Sequence, residues 1–303
     1  MRLALWFVVA ACGGKPEVGQ VGQVGQAGSA DIAPPRPPRP PRPGPLACEQ
    51  LAFAESTPVP EASGAAWMTI DGAAALVVIS DSGNAGDYAI VDPETGTTRE
   101  TGKLPLGTGA SEDLEGVAML GGRLVAVTSS GWIRSWQRRD HGFSLVDGPY
   151  PLASRDTEMV CDRGEQTNCA RDYEGLCLAP DRGDSRCLGF AASKADGVLY
   201  CIVEKSGRLA VERTSAIRVA RGGVVADCAF ADDGSLYVGS NLFDLSRVYR
   251  VDGWRDPATA RVDEIAKLGI GFPETLAVRG DVFYRMSDTG GAPSLMAKYR
   301  CVR

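Results

Sequence analysis

An acidic or polar residue returns about every 50 residues in this chain, each time near the head of the same short pattern. It is Ser63 in S-G-A-A-W-M, Glu115 in E-G-V-A-M-L, Glu174 in E-G-L-C-L-A, Asp227 in D-C-A-F-A-D and Glu274 in E-T-L-A-V-R. Carboxylates brought to one place repel one another and raise each other's pKa unless something positive lies among them. A hard cation meets that need, and calcium takes roughly six to eight oxygen ligands from carboxylates, amides, carbonyls and water. Two other uses compete with it. The carboxylates can accept hydrogen bonds from neighbouring backbone N–H groups, or a pair of them can do acid–base work.

The elements around these residues are short strands. Each copy opens an apolar strand, reaches a turn and passes into a second strand ending in Ser, Asp or Asn. Turn signals such as Asp71-Gly72, Gly121-Gly122 and Asp232-Asp233-Gly234 separate the strands. A repeat of this length built from strands alone predicts an all-β fold, a β-propeller. Five blades are expected, at about 62–109, 112–152, 172–219, 224–269 and from 273 onward, with a sixth, degenerate blade as the alternative. The fifth has three strands before the chain ends, so the stretch Cys48–Ser56 is expected to supply its outer strand and close the ring.

Antiparallel pairing puts the start of a first strand and the end of the second at the same end of a blade. The opening residues therefore share one face with Ser80-Asp81, Ser129-Ser130, Ser193, Ser240-Asn241 and Ser287-Asp288. First strands line the axis, so this face should gather Glu115, Glu174, Asp227 and Glu274, with Asp81, Asn84, Asn241 and Asp288 as further ligands. Ser63 and Trp132 are expected on the same face, and Asp113 and Asp172 close to the glutamates. A polar insertion, about Ser154–Arg171, joins an outer strand to the next inner one and becomes a candidate lid. The single histidine, His141, falls in a hairpin turn on the opposite face, which leaves Ser-His-Asp and Cys-His mechanisms without a base.

Nine cysteines are present. Setting Cys12 aside leaves eight, an even number in a chain with an export signal, which reads as disulfides. Spacing alone permits roughly a hundred connectivities, but the repeat narrows them. Cys48 and Cys301 lie on the first and last strands, Cys161 and Cys169 inside the insertion, and Cys187 and Cys201 on consecutive strands. Cys177 and Cys228 remain, on the inner strands of adjacent blades. Zinc is disfavoured because no C-x-x-C occurs and the histidine is elsewhere.

Residues 1–11 read as a short secretory signal, with Arg2 before an apolar run too short to span a bilayer. The run ends V-A-A-C at Cys12 and resembles the bacterial lipobox, which implies cleavage before Cys12, lipidation of that residue and anchoring of the chain in the bacterial cell envelope. Residues 13–47 are rich in V-G-Q and P-P-R repeats and form a spacer. The chain carries a formal charge of −6 and its first 47 residues +3, which leaves −9 on the domain from Cys48 to Arg303. An acidic domain argues against a nucleic-acid partner and suits a cation, a small molecule or an envelope protein, bound by a monomer.

The segments I-S-D-S-G-N (Ile79–Asn84), D-Y-A-I-V-D (Asp87–Asp92), D-L-E-G-V-A (Asp113–Ala118) and D-Y-E-G-L (Asp172–Leu176) resemble the exported phytase-like (esterase-like activity of phytase) propellers and the SdiA-regulated propellers. The resemblance spans most of Ala62–Arg303 and implies an exported propeller. A phytase proper would add calcium on acidic residues and a phosphate-bearing substrate. Arg155, Arg171 and Lys194 are the sole cations expected near the ring, too few for a phosphate site of that kind. The leading expectation is a lipid-anchored propeller that binds a ligand on its acidic face through calcium; the rival is a calcium-dependent phosphoesterase or lactonase.

Overall fold

The structure, a computed structural model, describes residues 44–153, 158–161, 167–242 and 245–303. Cys12, the signal and nearly all of the Gly/Pro-rich spacer lie outside the described residues.

The described chain enters through β1 (Ala47–Leu51) and β2 (Ser56–Pro60). Blade one follows as β3 (Ala62–Ile70), β4 (Ala73–Ser80), β5 (Asp87–Val91) and β6 (Thr98–Lys103). Blade two is β7 (Leu114–Leu120), β8 (Arg123–Thr128), β9 (Trp132–Arg138) and β10 (Phe143–Pro151). Blade three is β11 (Tyr173–Leu178), β12 (Gly189–Ser193), β13 (Val198–Lys205) and β14 (Arg208–Arg218). Blade four is β15 (Val225–Phe230), β16 (Leu236–Ser240), β17 (Arg247–Asp252) and β18 (Arg261–Lys267). Each is an antiparallel meander in which every strand pairs with the next, so the expected five-bladed, all-β propeller is the fold.

Blade five closes the ring. Its inner strand is split into β19 (Phe272–Pro273) and β20 (Ala277–Arg279), both paired to β21 (Val282–Asp288). β21 pairs with β22 (Pro293–Val302), and β22 takes β1 and β2 as a broken outer strand. The closing strand thus runs on past the expected Ser56 to Pro60. Cys48 stands opposite Cys301 in the β1–β22 register, and the two form a disulfide across a sequence separation of 253. The other three expected pairs also form: Cys161–Cys169, Cys177–Cys228 and Cys187–Cys201. Four disulfides place the domain in an oxidising compartment. Among the described residues no helix is long and apolar enough to cross a membrane.

The core lies between blades. Alternate strand residues face the next blade, and five clusters of buried side chains fill the five seams. Trp136 fills the seam between blades one and two, its indole N–H donating to the Pro105 carbonyl at 2.7 Å. Near the axis the inner strands press backbone to backbone. A Cβ added at Gly64 would lie 2.4 Å from the Glu115 carbonyl oxygen, and one at Gly116 would lie 1.9 Å from the Leu176 nitrogen. The glycine of the repeated S-G and E-G pairs is therefore a condition of ring closure, because a side chain there would hold the blades apart.

Candidate acidic site at the mouth of the propeller

The site is built at one level of the inner strands, where each pairing slips by a residue. The register breaks between Ala62 and Gly64, between Leu114 and Val117, between Tyr173 and Gly175, and between Val225 and Asp227. A bulge re-aims the unpaired side chain. In blades one to three the re-aimed residues include Ser63, Glu115 and Glu174, and Glu274 holds the matching place after Pro273 in blade five.

In blade four the re-aimed residue is Ala226, and Asp227 falls at the place held by Gly175 in blade three. A one-residue offset sends a strand side chain to the other face. Asp227 accordingly points into the seam with blade five, where Oδ1 accepts from its neighbour Cys228 N at 2.7 Å and Oδ2 from Leu276 N at 2.8 Å. Burial pushes its carboxyl well up, partly offset by those two N–H groups and by the Arg285 guanidinium. The repeat therefore delivers three carboxylates to the mouth at this level, and Asp227 serves as a hydrogen-bond acceptor between blades.

The ends of the second strands add a second tier. Ser80, Thr128, Ser193, Ser240 and Ser287 hold equivalent register positions. The residues that follow them are Asp81, Ser129, Lys194, Asn241 and Asp288. Backbone N–H groups of the first four tie back to the residues just ahead of the inner strands: Asp81 to Glu61, Ser129 to Asp113, Lys194 to Asp172 and Asn241 to Val224, at 2.8–3.2 Å. This lacing brings Asp113 and Asp172 into the site.

The two halves of the mouth differ in charge. On the side of blades three to five, Lys194 Nζ lies 2.9 Å from Glu174 Oε2 and 3.6 Å from Glu274 Oε1. Asn241 Nδ2 donates to the same Glu274 oxygen at 3.3 Å, and Asp288 stands close enough to raise the Glu274 carboxyl. Burial works against the Lys194 ammonium, but the two glutamates outweigh it and raise its pKa. Burial also raises Glu174, an effect that Lys194 partly offsets.

On the side of blades one and two, Asp81, Asp113 and Glu115 offer oxygens that all lie within 4.8 Å of one another. The Ser63 hydroxyl donates to Glu115 Oε2, and the Ser129 hydroxyl to Asp113 Oδ2. Burial pushes Asp81 up to about 8, aided by a hydrogen bond with the Asp113 carboxyl and by its charge. Burial raises Glu115 as well, followed by the charges of Glu174 and Asp81. Two carboxyls this close share a proton or a cation, because both cannot be ionised alone in a buried site. Asp172, also raised by burial, adds a buried Oδ1 with no hydrogen-bond partner among the described residues.

The remaining expected residues play supporting parts. Asn84 braces the loop after β4, its Nδ2 donating to Glu61 Oε2 at 2.9 Å and to the Ser82 carbonyl at 2.9 Å. Trp132 packs against the seam between blades two and three. Arg171 is taken up by Asp196 at 3.1 Å. Arg155 lies outside the described residues. The insertion does reach the acidic face: Asn168 N donates to Ser129 Oγ at 3.0 Å and Cys161 N to the Ser130 carbonyl at 3.1 Å. His141 sits exposed in the turn between β9 and β10. Strand spacing alone undervalued Asp113 and Lys194, though the D-x-E-G pairs Asp113–Gly116 and Asp172–Gly175 carried the signal for Asp113.

No protein-family model matches this chain, and no curated protein does. Solved structures match the fold. Myxococcus xanthus glutaminyl cyclase aligns at 15% identity with a TM-score of 0.50, covering 86% of this chain and 100% of that one. The PQQ-bound aldose sugar dehydrogenase of Streptomyces coelicolor aligns at 15% identity, TM-score 0.47, over 86% and 99% of the two chains. A luciferin-regenerating enzyme aligns at 12% identity, TM-score 0.46, over 85% and 95%. At 15% identity the likeness to the glutaminyl cyclase speaks to the fold alone.

Proposed function

We propose that this protein is an exported, lipid-anchored propeller that binds one divalent cation, calcium, at Asp81, Asp113 and Glu115 and uses it to hold a ligand on the acidic face. One observation carries the reading. The mouth contains an internal cation, Lys194, paired with Glu174 and Glu274, while among the described residues no ion pair reaches the three carboxylates on the opposite side. A hard, all-oxygen donor set suits calcium, whose flexible geometry tolerates the mixed carboxylate and hydroxyl surroundings. Water would complete the shell, with Asp172, whose carboxyl feels the Asp113 charge, as the neighbouring carboxylate. The lipobox at Cys12 and the spacer behind it support envelope anchoring, and the ligand is a small molecule or an envelope protein.

A hydrolytic reading has its own support. Asp172 carries a raised pKa and an unpartnered oxygen, and the charge of Asp113 acts on it. A carboxylate poised in that way can accept a proton from water beside a bound cation. The resemblance to the phytase-like propellers points the same way. Calorimetric titration of the domain from Cys48 to Arg303 with calcium tests the shared premise. Phosphoester and lactone substrates, assayed on the calcium-loaded protein and on Asp172→Asn, then separate a hydrolase from a binder.

A further inference from the structure

Beyond the carboxylates, toward the opposite face, the propeller axis holds a cavity of about 220 Å³ with the reverse chemistry. All five inner strands line it, and the lining begins one residue past the glycine level. There Gly64, Gly116 and Gly175 bring the strands together so closely that an added Cβ would meet backbone or carboxylate atoms at 1.9–2.8 Å. The cavity is therefore a funnel whose lining starts beyond the glycine level, on the side away from the carboxylates.

Its space comes from small side chains. Ala66, Ala118 and Ala277, small residues of the blade seams, and the part-exposed Ala229 line it, and larger side chains at these places would narrow it. Its walls include two part-exposed aromatic rings, Trp67 and Phe230. Both are fixed in place. The Trp67 indole N–H donates to the Val278 carbonyl at 2.9 Å and its ring meets Tyr284 edge-on at 5.4 Å; Phe230 meets Trp254 edge-on at 4.8 Å. Rigid aromatic walls bind apolar matter with little ordering cost.

One cation, Arg279, stands beside this apolar well, against two of its lining residues, Trp67 and Asp232. The Arg279 guanidinium lies 5.2 Å from the Trp67 ring centroid. Its ion pair is with Asp232 at 3.5 Å, and the two side chains are 49% and 70% exposed, so water already weakens the contact. An incoming carboxylate can replace Asp232 and gain two parallel N–H···O bonds from the guanidinium.

We propose that this funnel is a second binding site, for a small aromatic carboxylate whose ring lies between Trp67 and Phe230 and whose carboxylate rests on Arg279. Size sets the class. An apolar cavity of about 150 Å³ holds benzene, so a funnel half as large again takes a two-ring body. The acidic face cannot serve such an anion without a bound cation, whereas the funnel needs none.

The test is titration of the whole domain with 2-naphthoate in the presence of EDTA, read by calorimetry and by tryptophan fluorescence. Removing divalent cations keeps the outcome independent of the calcium reading. Saturable binding with a Kd below about 1 mM is expected, about tenfold weaker for the neutral 2-naphthamide and about tenfold weaker for Arg279→Gln. Ala118→Leu, which fills the funnel, should abolish binding while Arg279→Gln retains the wild-type melting temperature. If Ala118→Leu fails to fold, the part-exposed Ala229→Leu replaces it. Absence of saturable binding to the wild type, or wild-type affinity in Arg279→Gln, overturns the proposal.

Discussion

Lys194 stands in blade three at the register position that Asp81 holds in blade one, each directly after the serine opposite the start of its inner strand. One position thus supplies a cation to one half of the mouth and a carboxylate to the other. The charge asymmetry of the site follows from that exchange. Glu174 and Glu274 share one internal ammonium, and Asp81, Asp113 and Glu115, which form no ion pair among the described residues, are left to a proton or a metal.

Removing the internal cation should therefore be costly. Lys194→Met leaves Glu174 and Glu274 buried without compensation. Breaking a buried ion pair by deleting one partner costs about 3–5 kcal/mol. Because the Lys194 side chain is 23% exposed, about 2–3 kcal/mol is expected in urea unfolding without calcium. Glu174→Gln in the same background should recover part of the loss.

Asp227 belongs to the seam, and its variants should separate stability from metal binding. Asp227→Asn turns an acceptor of two backbone N–H groups into a group with one N–H₂ facing a donor. A loss of about 2 kcal/mol is expected, with calcium affinity unchanged. Glu115→Gln should do the reverse: lower calcium affinity at least tenfold and leave the calcium-free protein as stable as wild type or more so, since a raised carboxyl is replaced by a neutral amide.

Acid titration at the mouth sets a pH dependence of known sign. Asp81 is raised from its ordinary 3.8 to about 8 in the folded state. Between those values the native protein holds more protons than the unfolded chain, so stability falls as pH rises through this range. The contribution is complete below about pH 4 and gone above about pH 8. Melting temperatures without calcium should fall from pH 6 to pH 9, and saturating calcium should flatten that slope because the metal-bound carboxylates are already ionised.

Ring closure depends on the bare backbone at the second residue of the repeat. Gly116→Ala would put a Cβ 1.9 Å from the Leu176 nitrogen and 2.2 Å from the Gly175 carbonyl carbon, atoms that no rotamer change can move. A loss of about 3 kcal/mol or more is expected, or failure to fold, while Gly122→Ala, open on all sides but at φ 78°, should cost about 1 kcal/mol.

Much of this was legible in the sequence, and the misses have a common cause. The period of the strands points to five blades with a sixth left open, and blade positions narrow the cysteine pairings toward the four that the structure forms. Side-chain direction at the mouth is another matter. It depends on bulges, which insert one residue without changing the strand pattern. D-C-A-F-A-D looks like another E-G copy, yet its aspartate occupies the glycine place and Ala226 the acidic one. Asp113 enters the site by lying ahead of the strand, tied back by Ser129, a contact that strand alternation does not encode. Lys194 could be counted near the ring from sequence, but its pairing with glutamates of two different blades comes from the closed ring.

Asp81, Asp113 and Glu115 are proposed to hold one calcium ion. The most direct test is calorimetric titration of the domain at pH 7 in buffers of different ionisation enthalpy. One site per chain is expected, with release of at least one proton per calcium, since Asp81 is largely protonated at that pH and Glu115 is raised as well, and loss of both signals in Asp113→Asn. Absence of heat and of any rise in melting temperature at millimolar calcium would contradict it, as would unaltered binding by Asp113→Asn.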